Sequence, residues 1–288
     1  MRVIVALIGA ALTGCSATSR EVTGPNSKFS VDPSYPYILN VKYGEEDRSI
    51  LYFPSHSQKS KEINIFVLSP VISYQYYPDI KKFTYTLTYR HLPNTETVND
   101  WTESWRVNWN IENFIILTLP GIFGSDGATY EHGSVESTES LNDAVSQLKQ
   151  IYGSDRVNIA AVSTSGTTVS ALLTKRQDIK NMILGSTMFN EKEYLKDKQW
   201  PATYLGVKNP YSPIDHVEEI KSDRHRNILV ISDPIDRVVP NIYSRQFVQK
   251  LKDKNIKVTL EEVKINTKDH HETGPWVITR LMQSAMKE

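Results

Sequence analysis

Cysteine is nearly absent from this chain, since Cys15 is the only one among 288 residues. A disulfide within the chain is therefore excluded. An excess of charge is also missing, because 33 basic residues balance 33 acidic ones. Proteins that bind nucleic acids use a basic excess to displace counterions from phosphates, so this balance argues against a nucleic-acid partner. Internal repeats and low-complexity tracts are absent as well, and a globular protein is expected.

Apolar runs long enough to span a bilayer are missing too, and the amino terminus holds only a short one. Residues 3–12 are apolar and follow Arg2, which is typical of a secretory signal segment. The sequence Leu-Thr-Gly-Cys that ends at Cys15 resembles the lipobox of bacterial lipoproteins. The resemblance implies cleavage before Cys15 and attachment of acyl chains that bind a membrane. The alternative is an ordinary signal segment followed by a chance cysteine.

The chain is expected to divide into a signal segment, a tether and one body. Residues 1–14 are the predicted signal segment, and residues 15–30, rich in Ser, Thr, Gly and Asn, are the predicted lipidated tether. Residues 31–288 contain no linker and are expected to form a single domain. Ser16 in place of Asp after the cysteine favours, by analogy with enteric lipoproteins, the outer membrane of a bacterial cell envelope.

The body alternates apolar runs with amphipathic segments. Residues 140–152 and 242–251 show the 3.6-residue period of helices. Continuous apolar strands between helices predict an α/β fold with a mostly parallel central sheet and helices on both faces. The predicted strands are residues 49–53, 63–68, 114–119, 157–162, 182–184, 228–231 and 258–265.

Residues 74–109 are unusually rich in aromatic side chains. One interpretation is a wall that binds an apolar or sugar substrate. The other is a helix packed on the core, because Trp101, Trp105 and Trp109 recur at every fourth position. This spacing favours the helix.

A sharp polar turn joins the apolar run that ends near residue 162 to a helical pattern. Turns of this kind expose a nucleophilic serine in hydrolases, usually as G-x-S-x-G. Placing that register on Ser163–Thr167 makes Ser165 the candidate nucleophile and the N–H of Gly166 one oxyanion donor. Ser163 and Thr167 then replace the usual flanking glycines. The alternative is a polar turn that happens to be rich in Ser and Thr.

An acid and a base for such a serine follow later apolar runs. Asp236 begins a D-x-x-V-P turn and is the predicted acid that orients an imidazole, with Asp233 as its competitor. His270, which directly follows Asp269, is the predicted base, and His271 is the reserve. A metal site at the two histidines is disfavoured, because no further ligand pattern lies near them in the sequence.

The order Ser…Asp…His, each after an apolar strand, is that of α/β-hydrolases. Residues 209–271, from NPYSPIDH to KDHH, resemble the C-terminal half of a prolyl oligopeptidase-type, dienelactone hydrolase-like domain of that superfamily. The segment LTLPGIFGSDG, residues 117–127, resembles the loop after its fourth strand. The resemblance implies an eight-stranded α/β-hydrolase core, a Ser-His-Asp triad and no cofactor.

One segment departs from that family. Ser69-Pro70-Val71 stands where His-Gly is expected, so Val71 is the predicted second oxyanion donor, and Pro70 lacks an N–H. Losing one donor costs roughly a hundred- to a thousandfold in rate. The sequence therefore predicts an envelope-anchored serine hydrolase that cleaves a small ester or a peptide through an acyl-enzyme. The alternative is an inactive lipoprotein that keeps the fold for binding or scaffolding.

Overall fold

The structure is a computed structural model, and it describes residues 28–29, 35–55, 60–69, 72–77, 82–87, 95–111, 113–122, 125–128, 133–198 and 210–286. Cys15, Pro70 and Val71 lie outside these ranges, as does the predicted signal segment. Among the described helices, none combines the length and the apolar character needed to cross a bilayer.

Twelve strands and six α-helices are present in the described residues. The strands are β1 Lys28–Phe29, β2 Ile38–Tyr43, β3 Glu46–Pro54, β4 Glu62–Val67, β5 Ile72–Tyr77, β6 Lys82–Leu87, β7 Phe114–Leu117, β8 Gly127–Ala128, β9 Arg156–Val162, β10 Ile179–Gly185, β11 Asn227–Ser232 and β12 Val258–Glu262. The helices are α1 Thr95–Trp109, α2 Val135–Tyr152, α3 Ser163–Lys175, α4 Glu191–Asp197, α5 Asn241–Asp253 and α6 Gly274–Ala285, and a 3₁₀ helix covers Pro213–Glu219.

Eight strands form one sheet in the order β12-β11-β10-β9-β4-β7-β3-β2. The six strands from β12 to β7 run parallel, whereas β3 pairs antiparallel with β7 and β2 pairs antiparallel with β3. The mostly parallel sheet predicted from the apolar runs is therefore present, and each of the seven predicted strands overlaps a strand of this sheet.

Helices cover both faces of the sheet, because side chains of each central strand alternate between two apolar clusters. Ile65 and Ile159 face the cluster that contains residues of α2, α3 and α5, whereas Phe66 and Ala160 face the cluster that contains residues of α6. Trp105 of α1 also packs on this second cluster. The helix interpretation of the tryptophan spacing is thus the observed one, and the side chain of Trp101 lies outside the description.

A row of asparagines crosses four parallel strands near their amino ends. Asn64, Asn158, Asn181 and Asn227 are paired in register on β4, β9, β10 and β11. The amide of Asn227 donates to Asn181, that of Asn181 donates to Asn158, and that of Asn158 donates to Asn64, over 2.7 to 3.1 Å. A slip of one strand by one residue would leave buried amides without partners, so the row fixes the strand register.

Glu191, at the start of α4, is a buried carboxyl group with an incomplete set of partners. Its side chain is 5% exposed, and within the described residues its Oε2 has no hydrogen-bond partner. Burial raises the pKa of Glu191 from 4.5 to about 7. A group whose pKa is raised by folding holds its proton more tightly in the folded chain than in the unfolded one.

We expect the free energy of unfolding to fall as pH rises from 4.5 to about 7, by about 3 kcal/mol at most from this group. Below this window both states are protonated, and above it both are ionised, so the contribution is constant on either side. Urea unfolding of Glu191→Gln across this window should show a smaller slope with pH than the parent. Glu193→Gln, at an exposed position of the same helix, is the control and should keep the parent slope. An unchanged slope in Glu191→Gln would contradict the assignment.

Candidate active site

The carboxyl ends of β9 and β11 and the loop after β12 meet at one edge of the sheet. Ser163 is the first residue after β9 and begins α3, and its φ is +53°. A left-handed conformation is uncommon for a residue that carries a Cβ. It turns the chain sharply from strand to helix, and the Ser163 side chain remains only half-buried. A strained residue of this kind at a strand end motivates a functional hypothesis.

Ser163, His271 and Asp236 form a continuous hydrogen-bonded row. His271 Nε2 lies 3.1 Å from Ser163 Oγ, and His271 Nδ1 lies 2.9 Å from Asp236 Oδ2. The carboxyl group of Asp236 is fully buried, whereas the His271 ring is partly exposed. An acceptor at Nδ1 holds the proton of the imidazole on that nitrogen and leaves Nε2 free to accept one.

Asp236 is oriented by the turn that follows β11. Its Oδ1 accepts hydrogen bonds from the N–H groups of Val238 and Val239, both at 2.9 Å. These bonds leave Oδ2 directed at the His271 ring. The side chain of Asp236, the first residue of the D-x-x-V-P segment, therefore closes the turn by binding the backbone N–H groups of the third and fourth residues.

A second Asp–His pair lies beside the first. Asp233 directly follows β11, and its Oδ2 lies 3.1 Å from His270 Nδ1 and accepts the N–H of Ile265 at 2.7 Å. Burial raises the pKa of Asp233, but the N–H groups of Ile235 and Ile265 and the His270 ring outweigh this effect. The pKa of Asp233 is consequently lowered, and Asp233 is ionised at neutral pH.

The geometry therefore differs from the sequence prediction at two of three positions. Asp236 contacts a histidine as predicted, but that residue is the reserve His271, while His270 pairs with the competitor Asp233. Ser165 is fully buried, and its Oγ donates to the carbonyl oxygen of Leu68 at 2.7 Å. The hydroxyl group that meets a histidine belongs to Ser163.

Gly166 and Thr167 lie on the buried side of α3. A Cβ on Gly166 would lie 2.0 Å from Thr187 Oγ1, so glycine is needed there for close packing against the segment after β10. Thr167 donates through Oγ1 to the carbonyl oxygen of Met188 at 2.8 Å. Both residues are thus explained by packing, and the N–H of Gly166 as an oxyanion donor stays a prediction.

A two-residue shift of register would have found Ser163 in the sequence. Ala161-Val162-Ser163-Thr164-Ser165 keeps small residues two places before and two places after the serine. No comparable signal separates His270 from His271, because adjacent residues on one loop differ only in the direction of their side chains.

Thr164, directly after Ser163, lies next to the segment that follows β4. Its Oγ1 is 3.3 Å from Ser69 Oγ. The predicted donor Val71 lies two residues farther along, outside the described residues, and stays a prediction. In the part of the chain that the structure describes, no group of three or more His, Cys, Asp or Glu side chains is arranged to hold a metal ion.

Comparisons with known proteins give similarity at the level of structure. No family model matches the chain, and no curated protein matches its sequence. The uncomplexed acylaminoacyl peptidase of Pyrococcus horikoshii superposes with a TM-score of 0.53 and 16% identity, covering 90% of this chain and 40% of the peptidase. The chain thus spans well under half the length of that enzyme.

Two further structures match over nearly their whole length. The Pyrococcus furiosus esterase Pf2001 has a TM-score of 0.56 at 13% identity, covering 95% of this chain and 100% of the esterase. Est1E from Butyrivibrio proteoclasticus, with bound ferulic acid, has a TM-score of 0.53 at 15% identity, covering 84% of this chain and 96% of Est1E. With the sheet order described above, these likenesses show that the chain has the α/β-hydrolase fold.

Proposed function

We propose that the protein is a serine hydrolase in which Ser163 is the nucleophile, His271 the general base and Asp236 the group that orients His271. The observation that carries the proposal is the hydrogen-bonded row Ser163–His271–Asp236 at a strained strand-to-helix turn. The α/β-hydrolase fold supports it, because the nucleophile, the acid and the base occur along the chain in the order Ser…Asp…His that is typical of that fold.

The proposed reaction begins with attack of Ser163 Oγ on a substrate carbonyl carbon while its proton moves to His271 Nε2. The tetrahedral intermediate collapses, and His271 returns the proton to the leaving alcohol or amine. An acyl-Ser163 ester remains. Water then attacks this ester while His271 Nε2 takes a proton from the water. His271 returns a proton to Ser163 Oγ, which releases the acid and restores the serine. The Asp236 carboxylate stabilises the transient imidazolium through its hydrogen bond to His271 Nδ1.

The developing oxyanion needs donors at the start of α3. The N–H of Thr164 directly follows the nucleophile in the first turn of that helix, where the helix dipole also favours negative charge. We therefore assign the first donor to Thr164 in preference to Gly166. Val71 remains the proposed second donor, because Pro70 before it has no N–H.

The proposed substrate is an ester or a short peptide. Structural relatives include proteins named as an acylaminoacyl peptidase and as esterases. The same nucleophile, base and acid serve both kinds of acyl transfer. Neither kind is preferred by a specific contact among the described residues.

Ser163→Ala should abolish labelling by a fluorophosphonate probe, because the probe forms a bond only with an activated serine oxygen. Ser165→Ala should still be labelled, since Ser165 Oγ is bonded to a buried carbonyl group. His271→Ala should also abolish labelling, whereas His216→Ala, at a surface histidine paired with Glu219, should not. The measurement is in-gel fluorescence of purified residues 16–288 and these four variants.

Labelling of Ser163→Ala together with loss in Ser165→Ala would return the nucleophile to Ser165. A folded parent that is not labelled at all would contradict the hydrolase proposal. That result would favour the alternative of a binding or scaffolding protein.

Asp236→Asn should lower kcat for a p-nitrophenyl ester by roughly 10³- to 10⁴-fold. Asparagine keeps an oxygen for the N–H groups of Val238 and Val239, but its NH₂ group cannot accept a hydrogen bond from the Nδ1–H of His271. The imidazole then favours the tautomer that cannot act as a base. Thermal unfolding should change little, and a kcat within tenfold of the parent would contradict the role of Asp236.

We further propose that the protein is held at a bacterial cell envelope, in the outer membrane, by acyl chains on Cys15. The support is the Leu-Thr-Gly-Cys sequence after a short apolar run. In a bacterial host, the full chain should incorporate an alkyne-tagged palmitate and sediment with the outer membrane. Cys15→Ser should incorporate none of the label and leave that fraction, and incorporation in Cys15→Ser would contradict the anchor.

A further inference from the structure

We propose that His270 and Asp233 form a positioning pair that holds His271 in the orientation needed to reach Ser163. This inference rests on the proposed function, because it concerns the base of the same site. His270 does not serve as the base in this assignment, since the ring nitrogen 3.1 Å from Ser163 Oγ belongs to His271.

Asp233 is fixed more firmly than a solvated turn residue. Its side chain is 1% exposed, and its Oδ1 accepts the N–H of Ile235 at 2.9 Å. Its Oδ2 accepts the N–H of Ile265 at 2.7 Å and contacts His270 Nδ1 at 3.1 Å. The Asp233 carboxylate thereby connects three segments: the turn after β11 that contains Ile235, the segment after β12 that contains Ile265, and the loop that contains His270.

His270 occupies a backbone conformation that requires such support. Its φ is +54°, a left-handed value that disfavours residues with a Cβ. His270 lies at a bend of the chain. A conformation of this kind persists only where surrounding contacts determine it, and the Asp233–His270 pair supplies such a contact.

The two Asp–His pairs then act side by side. Asp233 and Asp236 lie three residues apart in one turn, and His270 and His271 are neighbours in the facing loop. A backbone hydrogen bond also joins these two segments, because the N–H of Arg237 donates to the carbonyl oxygen of Asp269 at 3.0 Å. The Asp233–His270 pair therefore fixes the residue directly before His271, and the His271 side chain reaches Ser163.

Fixing His271 has a large effect on rate, because a displacement of about 1 Å at a reacting group can cost about a hundredfold. The positioning role affects the chemical step and leaves substrate binding unchanged. It therefore predicts an effect on kcat at nearly constant KM.

Three substitutions of His270 separate the side-chain contact from the backbone strain. His270→Asn tolerates the left-handed backbone and offers an amide Nδ2 at the branch position of the imidazole Nδ1, so it can still donate to Asp233. His270→Gly relieves the backbone strain but removes the contact. His270→Ala removes the contact and keeps the strain.

Steady-state kinetics with a p-nitrophenyl ester, fluorophosphonate labelling rates and thermal unfolding are measured for the parent and the three variants. We expect His270→Gly and His270→Ala to lower kcat and the labelling rate about ten- to a hundredfold, with KM within about twofold. His270→Asn should remain within about threefold of the parent in kcat. Where His270→Ala fails to fold, the comparison of Asn with Gly decides alone.

Parent-like kcat in His270→Gly would overturn the inference, since it would reduce the role of His270 to its backbone. A kcat in His270→Asn as low as in His270→Gly would also overturn it. These outcomes require an active parent and leave the triad intact. A folded parent that neither turns over the ester nor reacts with the probe overturns the proposed function itself, and the inference with it.

Discussion

The left-handed turn at Ser163 is the constraint on which the site depends. It is held from both sides of the sheet edge, because Ser165 donates to the carbonyl oxygen of Leu68 after β4 and Gly166 packs against Thr187 after β10. These contacts fix the first turn of α3 between β4 and β10, the two strands that flank β9. The strain at Ser163 is offset by the burial of the helix behind it, so the hydroxyl stays at the edge while the next residues are anchored.

The same sheet explains which parts of the molecule could be predicted from sequence. Parallel strands covered on both faces are rich in apolar residues, so β9, β10 and β11 could be predicted from residue type alone. The position of the nucleophile within the strand-to-helix turn could not be predicted, because Ser163 and Ser165 differ by two positions and both occur in a polar turn of small residues. The two serines differ in the folded chain, because Ser163 has a positive φ and Ser165 Oγ is bonded to the carbonyl oxygen of Leu68.

The sequence also could not show which aspartate pairs with which histidine. Asp233 and Asp236 lie in one turn and His270 and His271 in one loop, so the sequence allows several Asp–His pairings of similar spacing. The structure selects two parallel ones, because Asp233 is directed toward Ile265 and His270, whereas Asp236 is directed toward Val238, Val239 and His271. A loop with two histidines needs two acceptors, and a turn with two buried aspartates needs two donors. Each Asp–His pair therefore gives one histidine of the loop an acceptor and one aspartate of the turn a donor.

The register at Ser163 also changes the weight of the inactive-protein alternative. That alternative rested on Ser163 and Thr167 replacing glycines beside Ser165, and on Pro70. With Ser163 as nucleophile, the flanking positions are Ala161 and Ser165, which are both small, and Thr167 lies in the core with its hydroxyl bonded to Met188. Both glycines are still replaced, but by small residues, so the larger departure from the pattern is Ser69-Pro70 in place of His-Gly. The residue before Pro70 nevertheless lies close to the strand-to-helix turn, since Ser69 Oγ lies 3.3 Å from Thr164 Oγ1. Ser69, at the end of the described segment after β4, thus lies beside Thr164, the residue proposed above as the first oxyanion donor.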